Sequence, residues 1–166
     1  AKALGAVVIG TVSTENKAEL IKDIGCDYPV IRSKENFVNV VKEVTSGVGC
    51  DVVYEAIGKD TLQKSLDSLK PMGMCAAYGH VSGPPDPIDV IQDLGRRGSL
   101  FITRPAIMHY VAKRNDLEWT ANDLFNAISK GVIKSNVNYE FSLKDAVKAH
   151  EAIESGKTKG SIILIP

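Results

Sequence analysis

Short apolar runs alternate with helix-forming stretches along this chain, and glycines or turns close most of the stretches. Ala6–Val12 is apolar on both faces, the pattern of a strand covered from two sides. Ser13 or Thr14 then caps a helix over Glu15–Ile24, which Gly25 ends. Tyr28–Ile31 predicts a short strand. Ser33 caps a helix over Lys34–Thr45, with Phe37, Val40, Val41 and Val44 on one face. Asp51–Ile57 is a strand rich in β-branched residues. Asp60 caps Thr61–Leu69, Pro71-Met72-Gly73 turns the chain, and Met74–Gly79 is the next strand. Strands separated by helices pair in parallel, because each helix carries the chain back to the starting edge. The expected fold is therefore α/β, a doubly wound and mostly parallel sheet.

The ends depart from this rhythm. Ala1-Lys2-Ala3-Leu4 are good helix formers and Gly5 reads as a C-cap, so the chain is expected to open in the last turn of a helix. Past a loop at Gly83–Pro87, a helical segment covers Ile88–Leu94 and a strand covers Ser99–Thr103. Pro105 opens a helical region, and Asn115 or Asp116 begins a longer helix to Lys130, closed by Gly131. Asn138–Phe141 is a strand. Ser142-Leu143-Lys144-Asp145 reads as a capping box for a helix over Leu143–Ser155, and Ser161–Ile165 is the last strand.

Charge excludes some functions. Lys plus Arg and Asp plus Glu number 20 each in 166 residues, so no global field draws nucleic acid or an anionic membrane. With 44% hydrophobic residues the chain can build a core. No apolar run approaches the ~20 residues that span a bilayer. Cys26, Cys50 and Cys75 fit neither a zinc cluster nor a disulfide framework, and read as reduced thiols of a cytoplasmic protein. No metal site is expected.

In an open α/β sheet, ligands bind at the carboxyl ends of the strands. Three strand ends here are distinctive. An NAD-binding protein usually places Asp or Glu at the end of its second strand, for the ribose hydroxyls. Gly10–Thr14 holds no acid. It offers Thr11 and Ser13, a helix N-terminus, and Lys17 one turn in, a set that suits a phosphate. The same residues also serve as helix caps and a solvated lysine, and the spacing does not separate the two. Gly58, after Glu55-Ala56-Ile57, lets a ligand ring approach the backbone or simply makes a turn. Tyr78-Gly79-His80 poses the same choice. His109 and His150 fall on predicted helices as structural residues. No Ser/His/Asp set and no paired carboxylates stand out.

The order of several segments resembles a known family. Ala3–Ala6, Gly10-Thr11-Val12, Asp51–Tyr54, Gly58–Thr61, Ser65-Leu66-Asp67, Gly98–Pro105, Ala149-His150-Glu151 and Gly160–Pro166 follow one another as in the C-terminal half of zeta-crystallin-like NADPH:quinone oxidoreductases. These belong to the medium-chain dehydrogenase/reductase superfamily. The resemblance covers the whole chain. It implies a Rossmann-type domain, NADPH as cofactor, and zinc-independent reduction of quinones or related α,β-unsaturated carbonyls by direct hydride transfer. By position, Thr11, Ser13 and Lys17 would surround the adenosine ribose and 2′-phosphate. Ala56 and Gly58 would lie beneath the adenine–ribose half, and Tyr78 and Gly79 toward the nicotinamide half. Ser99–Thr103 would be an edge strand that pairs across a two-fold axis to make a homodimer.

The resemblance also marks departures. Ser33 stands where the family often has a Tyr holding the 2′-phosphate, with Arg32 and Lys34 beside it as substitute cations. Gly156 takes the place of a basic residue, and Lys157 follows. The family's first strand, its glycine-rich phosphate loop and its substrate domain, with any catalytic residues, would precede Ala1. Residues 1–131 would then be a partial NADP-binding domain, and 132–166 a segment returning to the substrate domain. Alone, the chain is expected to be inactive. Its sheet would either close the gap by pairing Val7–Gly10 with Val52–Tyr54, or take a strand from elsewhere. Two rival readings are a non-catalytic nucleotide- or RNA-binding module, hinted at by Arg96-Arg97, Lys157 and Lys159, and another Rossmann-like enzyme such as a methyltransferase.

Overall fold

The structure is a computed structural model that describes residues 1–134 and 137–166. The chain forms two compact units, Ala1–Lys113 and Arg114–Pro166. In the first, a single 3-10 turn over Lys2–Leu4 ends at Gly5, whose φ of 81° closes it as a left-handed cap. Strand β1 (Ile9–Val12) leads to helix α1 (Glu15–Asp23), then β2 (Tyr28–Ile31), α2 (Phe37–Val44), β3 (Cys50–Glu55), α3 (Leu62–Asp67) and β4 (Leu69–Ala77). A π-helical segment at Val90–Gly95, strand β5 (Phe101–Thr103) and helix α4 (Ile107–Tyr110) complete it.

All pairing in this unit is parallel. β1 pairs with β2, and β3, β4 and β5 form a second sheet in that order. The core of the larger sheet is Leu62, Leu66, Leu69, Cys75 and Leu100, with Val53, Ala77 and Ile102 packed against it. Leu62 and Leu66 lie four residues apart, so α3 lays one apolar stripe on the sheet, and Leu69 adds to it from the start of β4. Val30 on β2 and Val38 and Val41 on α2 are also buried.

Three local expectations are corrected. Ser33 is not a helix cap: Arg32–Lys34 form a turn in which Lys34 N–H donates to the Ile31 carbonyl. Asn36 caps α2 instead, its Oδ1 accepting from Val38 N–H at 3.1 Å. Asp60 does not cap α3, whose N-cap position is Thr61. Pro71-Met72-Gly73 lies inside β4, where the pairing slips between Cys50↔Leu69 and Val52↔Met74. Pro71 has no N–H for the ladder and Met72 sits at φ 60°, so these residues bulge out of the strand without ending it.

The direct pairing of Val7–Gly10 with Val52–Tyr54 does not occur. Among the described residues, β1 pairs only with β2 and β3 only with β4, so each keeps a free edge. Tyr54 on β3 is 75% exposed.

The second unit holds α5 (Arg114–Ser129), β6 (Val137–Ser142), a 3-10 turn at Leu143–Asp145, α6 (Ala146–Glu154) and β7 (Ser161–Ile165). β6 and β7 pair in parallel across α6, which buries Ala149. The Ser142 hydroxyl accepts from Lys144 N–H, while Asp145 turns to Lys148 at 2.7 Å in place of closing a capping box. No helix among the described residues is long and apolar enough to cross a membrane.

Candidate cofactor-binding site

Parallel pairing brings the carboxyl ends of β1 and β2 together. Val12 pairs with Ile31, and Arg32 N–H donates to the Val12 carbonyl at 3.0 Å. Thr11, Ser13, Arg32 and Ser33 therefore share one rim. Thr11, Ser13 and Ser33 are exposed and Arg32 is half-buried. Thr14, not Ser13, caps α1, its hydroxyl accepting from Lys17 N–H at 3.4 Å. That leaves the Ser13 hydroxyl outside the cap. Glu15, in the first turn of α1, has its carboxylate paired with Lys34. The Lys34 hydrogen bond and charge hold the Glu15 carboxyl below its ordinary range. Lys34 is thus committed to Glu15, and Arg32 is the cation left at the turn.

Arg32 also faces the next strand end. With Phe37, Ile57, Thr61 and Lys64, and with the carboxylates of Glu35 and Asp60, it lines a cavity of about 300 Å³ between the turn after β2 and the turn into α3. Phe37 and Ile57 give it apolar surface for a flat ring, and its two cations are matched by two acids. Phe37, Ile57 and Lys64 carry no ligand-binding signature in the sequence; they meet only because two parallel units set their turns side by side.

The end of β3 is built around Glu55. This buried carboxylate accepts from the N–H groups of Ile57 (2.6 Å) and Gly58 (3.1 Å), from the Thr61 hydroxyl (2.8 Å) and from the Ser65 hydroxyl. Burial alone raises the carboxyl's pKa, but the four hydrogen bonds outweigh it, and the group stays ionised with a lowered value. Glu55 thereby ties the turn after β3 to the Thr61 and Ser65 hydroxyls at α3. The sequence carried one trace of this: hydroxyls at Thr61 and Ser65, on the helix that follows a strand-end acid.

Ala56, Gly58, Tyr78 and Gly79 sit where β3 and β4 end together. Tyr78 N–H and Gly79 N–H both donate to the Glu55 carbonyl, at 2.9 and 3.2 Å. A side chain on Gly79 would lie 2.3 Å from the Ala56 carbonyl oxygen. One on Gly58, at φ 91°, would lie 2.6 Å from the Gly83 carbonyl oxygen. The protein's own loops therefore occupy the space these glycines leave. Tyr78 is half exposed. Gly79 lines a second cavity of about 280 Å³, with Ala77, His80, Pro84, Pro85 and Arg104.

Elsewhere, Cys75 is buried and Cys26 and Cys50 are half-buried, all as free thiols. His109 and His150 are exposed on α4 and α6. Arg97 is held by Asp67 (2.7 Å), Asp93 (2.6 Å) and Gln63 (2.9 Å), so it is not a free member of a basic patch.

Residues 1–124 match the family described as zinc-binding dehydrogenase. The chain is 54% identical to a 2-haloacrylate reductase of Burkholderia sp over its whole length, and to 50% of that protein. It is 43% identical to a quinone oxidoreductase of Salmonella typhimurium, again over its whole length and 51% of that protein. The crystal structure of a 2-haloacrylate reductase superposes with a TM-score of 0.93, over 99% of this chain and 51% of that one. Escherichia coli quinone oxidoreductase complexed with NADPH superposes equally well, TM-score 0.93, at 40% identity and over 51% of its chain. The chain thus spans about half the length of the curated relatives it matches. Among the described residues, no three His, Cys, Asp or Glu residues come together as a metal site. From the family match and these superpositions, the chain belongs to the zinc-binding dehydrogenase family of the medium-chain dehydrogenase/reductase superfamily.

Proposed function

We propose that this chain is the NADPH-binding part of a zinc-independent reductase of quinones and related α,β-unsaturated carbonyls, haloacrylates among them. The observation that carries the reading is the rim of Thr11, Ser13 and Arg32, beside which Glu15 is already paired with Lys34. Such a rim offers a 2′-phosphate hydroxyl donors and a cation. The names of the quinone oxidoreductases and the NADPH-bound relative support it.

When bound, NADPH supplies the hydride. The chain's own residues position it. Thr11, Ser13, Lys17, Arg32 and Ser33 form the phosphate end. Ala56 and Gly58 mark the floor beside the 300 Å³ cavity, which takes the adenine. Tyr78 and Gly79 face the nicotinamide half. Residues 1–131 work as the cofactor domain and 132–166 as the link to a substrate domain, whose groups complete the acceptor site. A strand from outside these 166 residues fills the gap between β1 and β3. The exposed edge strand Phe101–Thr103, within the expected Ser99–Thr103, pairs with a second copy as a homodimer. The protein works in the cytoplasm, and the 166-residue chain alone turns over little.

The test is steady-state kinetics of the intact protein with a quinone acceptor. NADPH is expected to be the better donor. A preference for NADH defeats the reading.

A further inference from the structure

The two acceptor classes named above differ in charge: a quinone is neutral, whereas a haloacrylate carries a carboxylate. The cavity beside Gly79 distinguishes them. Its lining holds one fixed cation, Arg104, and one imidazole, His80, and no acid. Arg104 is anchored at both ends of its fork. Its Nη1 donates to the Ala77 carbonyl at 2.8 Å, and its Nη2 lies 3.2 Å from His80 Nδ1. A guanidinium has only donors, so Nδ1 accepts, which leaves the imidazole proton on Nε2. Two of the five guanidinium N–H groups are used; three remain, together with His80 Nε2–H. Both side chains are exposed on the cavity, so these donors are accessible from solvent. Pro84 and Pro85 form a rigid apolar wall opposite.

A fixed guanidinium fork beside an imidazole donor, without a competing acid, matches a planar carboxylate. We propose that Arg104 and His80 form a subsite for the carboxylate of a small unsaturated acid. Its place at the ends of β4 and β5 is on the side where Tyr78 and Gly79 face the nicotinamide. The role in turnover rests on the reductase reading; the binding itself does not.

Two measurements on the intact protein test it. In calorimetry, 2-chloropropionate, the saturated analogue of 2-chloroacrylate, binds, and its neutral amide binds at least tenfold more weakly. Arg104→Gln removes that discrimination, and His80→Ala, which leaves Arg104 in place, reduces it several-fold. In NADPH oxidation, Arg104→Gln raises KM for 2-chloroacrylate at least tenfold and leaves KM for a neutral quinone within twofold. Equal binding of acid and amide by the unaltered protein overturns the subsite. So does a KM rise of the same size for both acceptors, which marks a general loss of structure. Absence of NADPH oxidation with every acceptor defeats the reductase reading instead, and calorimetry still judges the subsite.

Discussion

The Ser65 hydroxyl donates to the Glu55 carboxylate inside the protein, tying α3 to the end of β3. With Thr61 and the N–H groups of Ile57 and Gly58, it keeps a buried charge fully hydrogen-bonded. Hydrogen bonds to a charged group contribute about 1.5–3 kcal/mol each. Ser65→Ala is expected to lower stability by about that amount in urea unfolding. Glu55→Gln costs more, since one amide oxygen cannot serve four donors.

The same group gives a pH dependence with a definite sign. The folded pKa lies below the ordinary carboxyl value of 4.5, so folding gains from the ionised form. The gain is complete above about pH 5 and fades as pH falls through 4.5 toward the lowered folded value. The stability difference between the natural protein and Glu55→Gln should therefore be large at pH 7 and shrink at pH 3. A difference unchanged by acid would contradict the ionised assignment.

Gly79 and Gly58 carry a prediction about stability before one about ligands. Gly79→Ala pushes a methyl against the Ala56 carbonyl and must part the ends of β3 and β4. Overpacking of this kind costs about 1–3 kcal/mol. Gly58→Ala adds a left-handed backbone to a similar clash. Both variants are expected to melt several degrees lower without NADPH present. A variant with a normal melting curve and lost NADPH binding would return these glycines to a purely ligand-facing role.

These cases show how far the sequence could be read. The strand–helix alternation carried the element order because apolar periodicity is local: Tyr28–Ile31 and Ser161–Ile165 appear where they were expected. The caps were harder. Ser33, Asn36, Asp60 and Thr61 are all competent capping residues, and the choice among them depends on where the preceding turn closes. At the site, Thr11, Ser13 and Arg32 were legible because they abut strand ends. Phe37, Ile57 and Lys64 were not, since nothing local marks two turns as neighbours. The pairing of Lys34 with Glu15 was not legible either, because the two lie 19 positions apart.

The Lys34–Glu15 pair makes a fourth test. Both side chains are exposed, so the pair contributes little to stability. Its expected effect is electrostatic: Lys34→Met frees a carboxylate beside the proposed phosphate site. KM for NADPH should rise several-fold in the intact protein, KM for NADH should not, and adding Glu15→Gln should restore the first. Arg32→Ala is expected to weaken NADPH about tenfold or more, the size of one lost charge-assisted contact. If Arg32→Ala weakens NADH equally, the guanidinium is supporting the turn and not the phosphate.

Cys75 lies on β4 with no exposed surface, and burial, followed by the charge of Glu55, pushes its thiol up to about 11. At pH 8 only about one such thiol in a thousand is ionised, and the thiolate is the reactive form. Iodoacetamide at that pH should therefore leave Cys75 unmodified in the folded protein and modify it after unfolding in urea, as read by peptide mass. The raised value also predicts alkaline loss of stability. Folding favours the neutral thiol, so the benefit is complete below its ordinary pKa of 9.0 and is lost as pH rises toward 11. Cys75→Ala, which cannot titrate, should lower stability at pH 7 through the lost packing, and the gap to the natural protein should narrow between pH 9 and 11. Rapid labelling of Cys75 in the folded state would mean that β4 opens far more often than its central place between β3 and β5 allows.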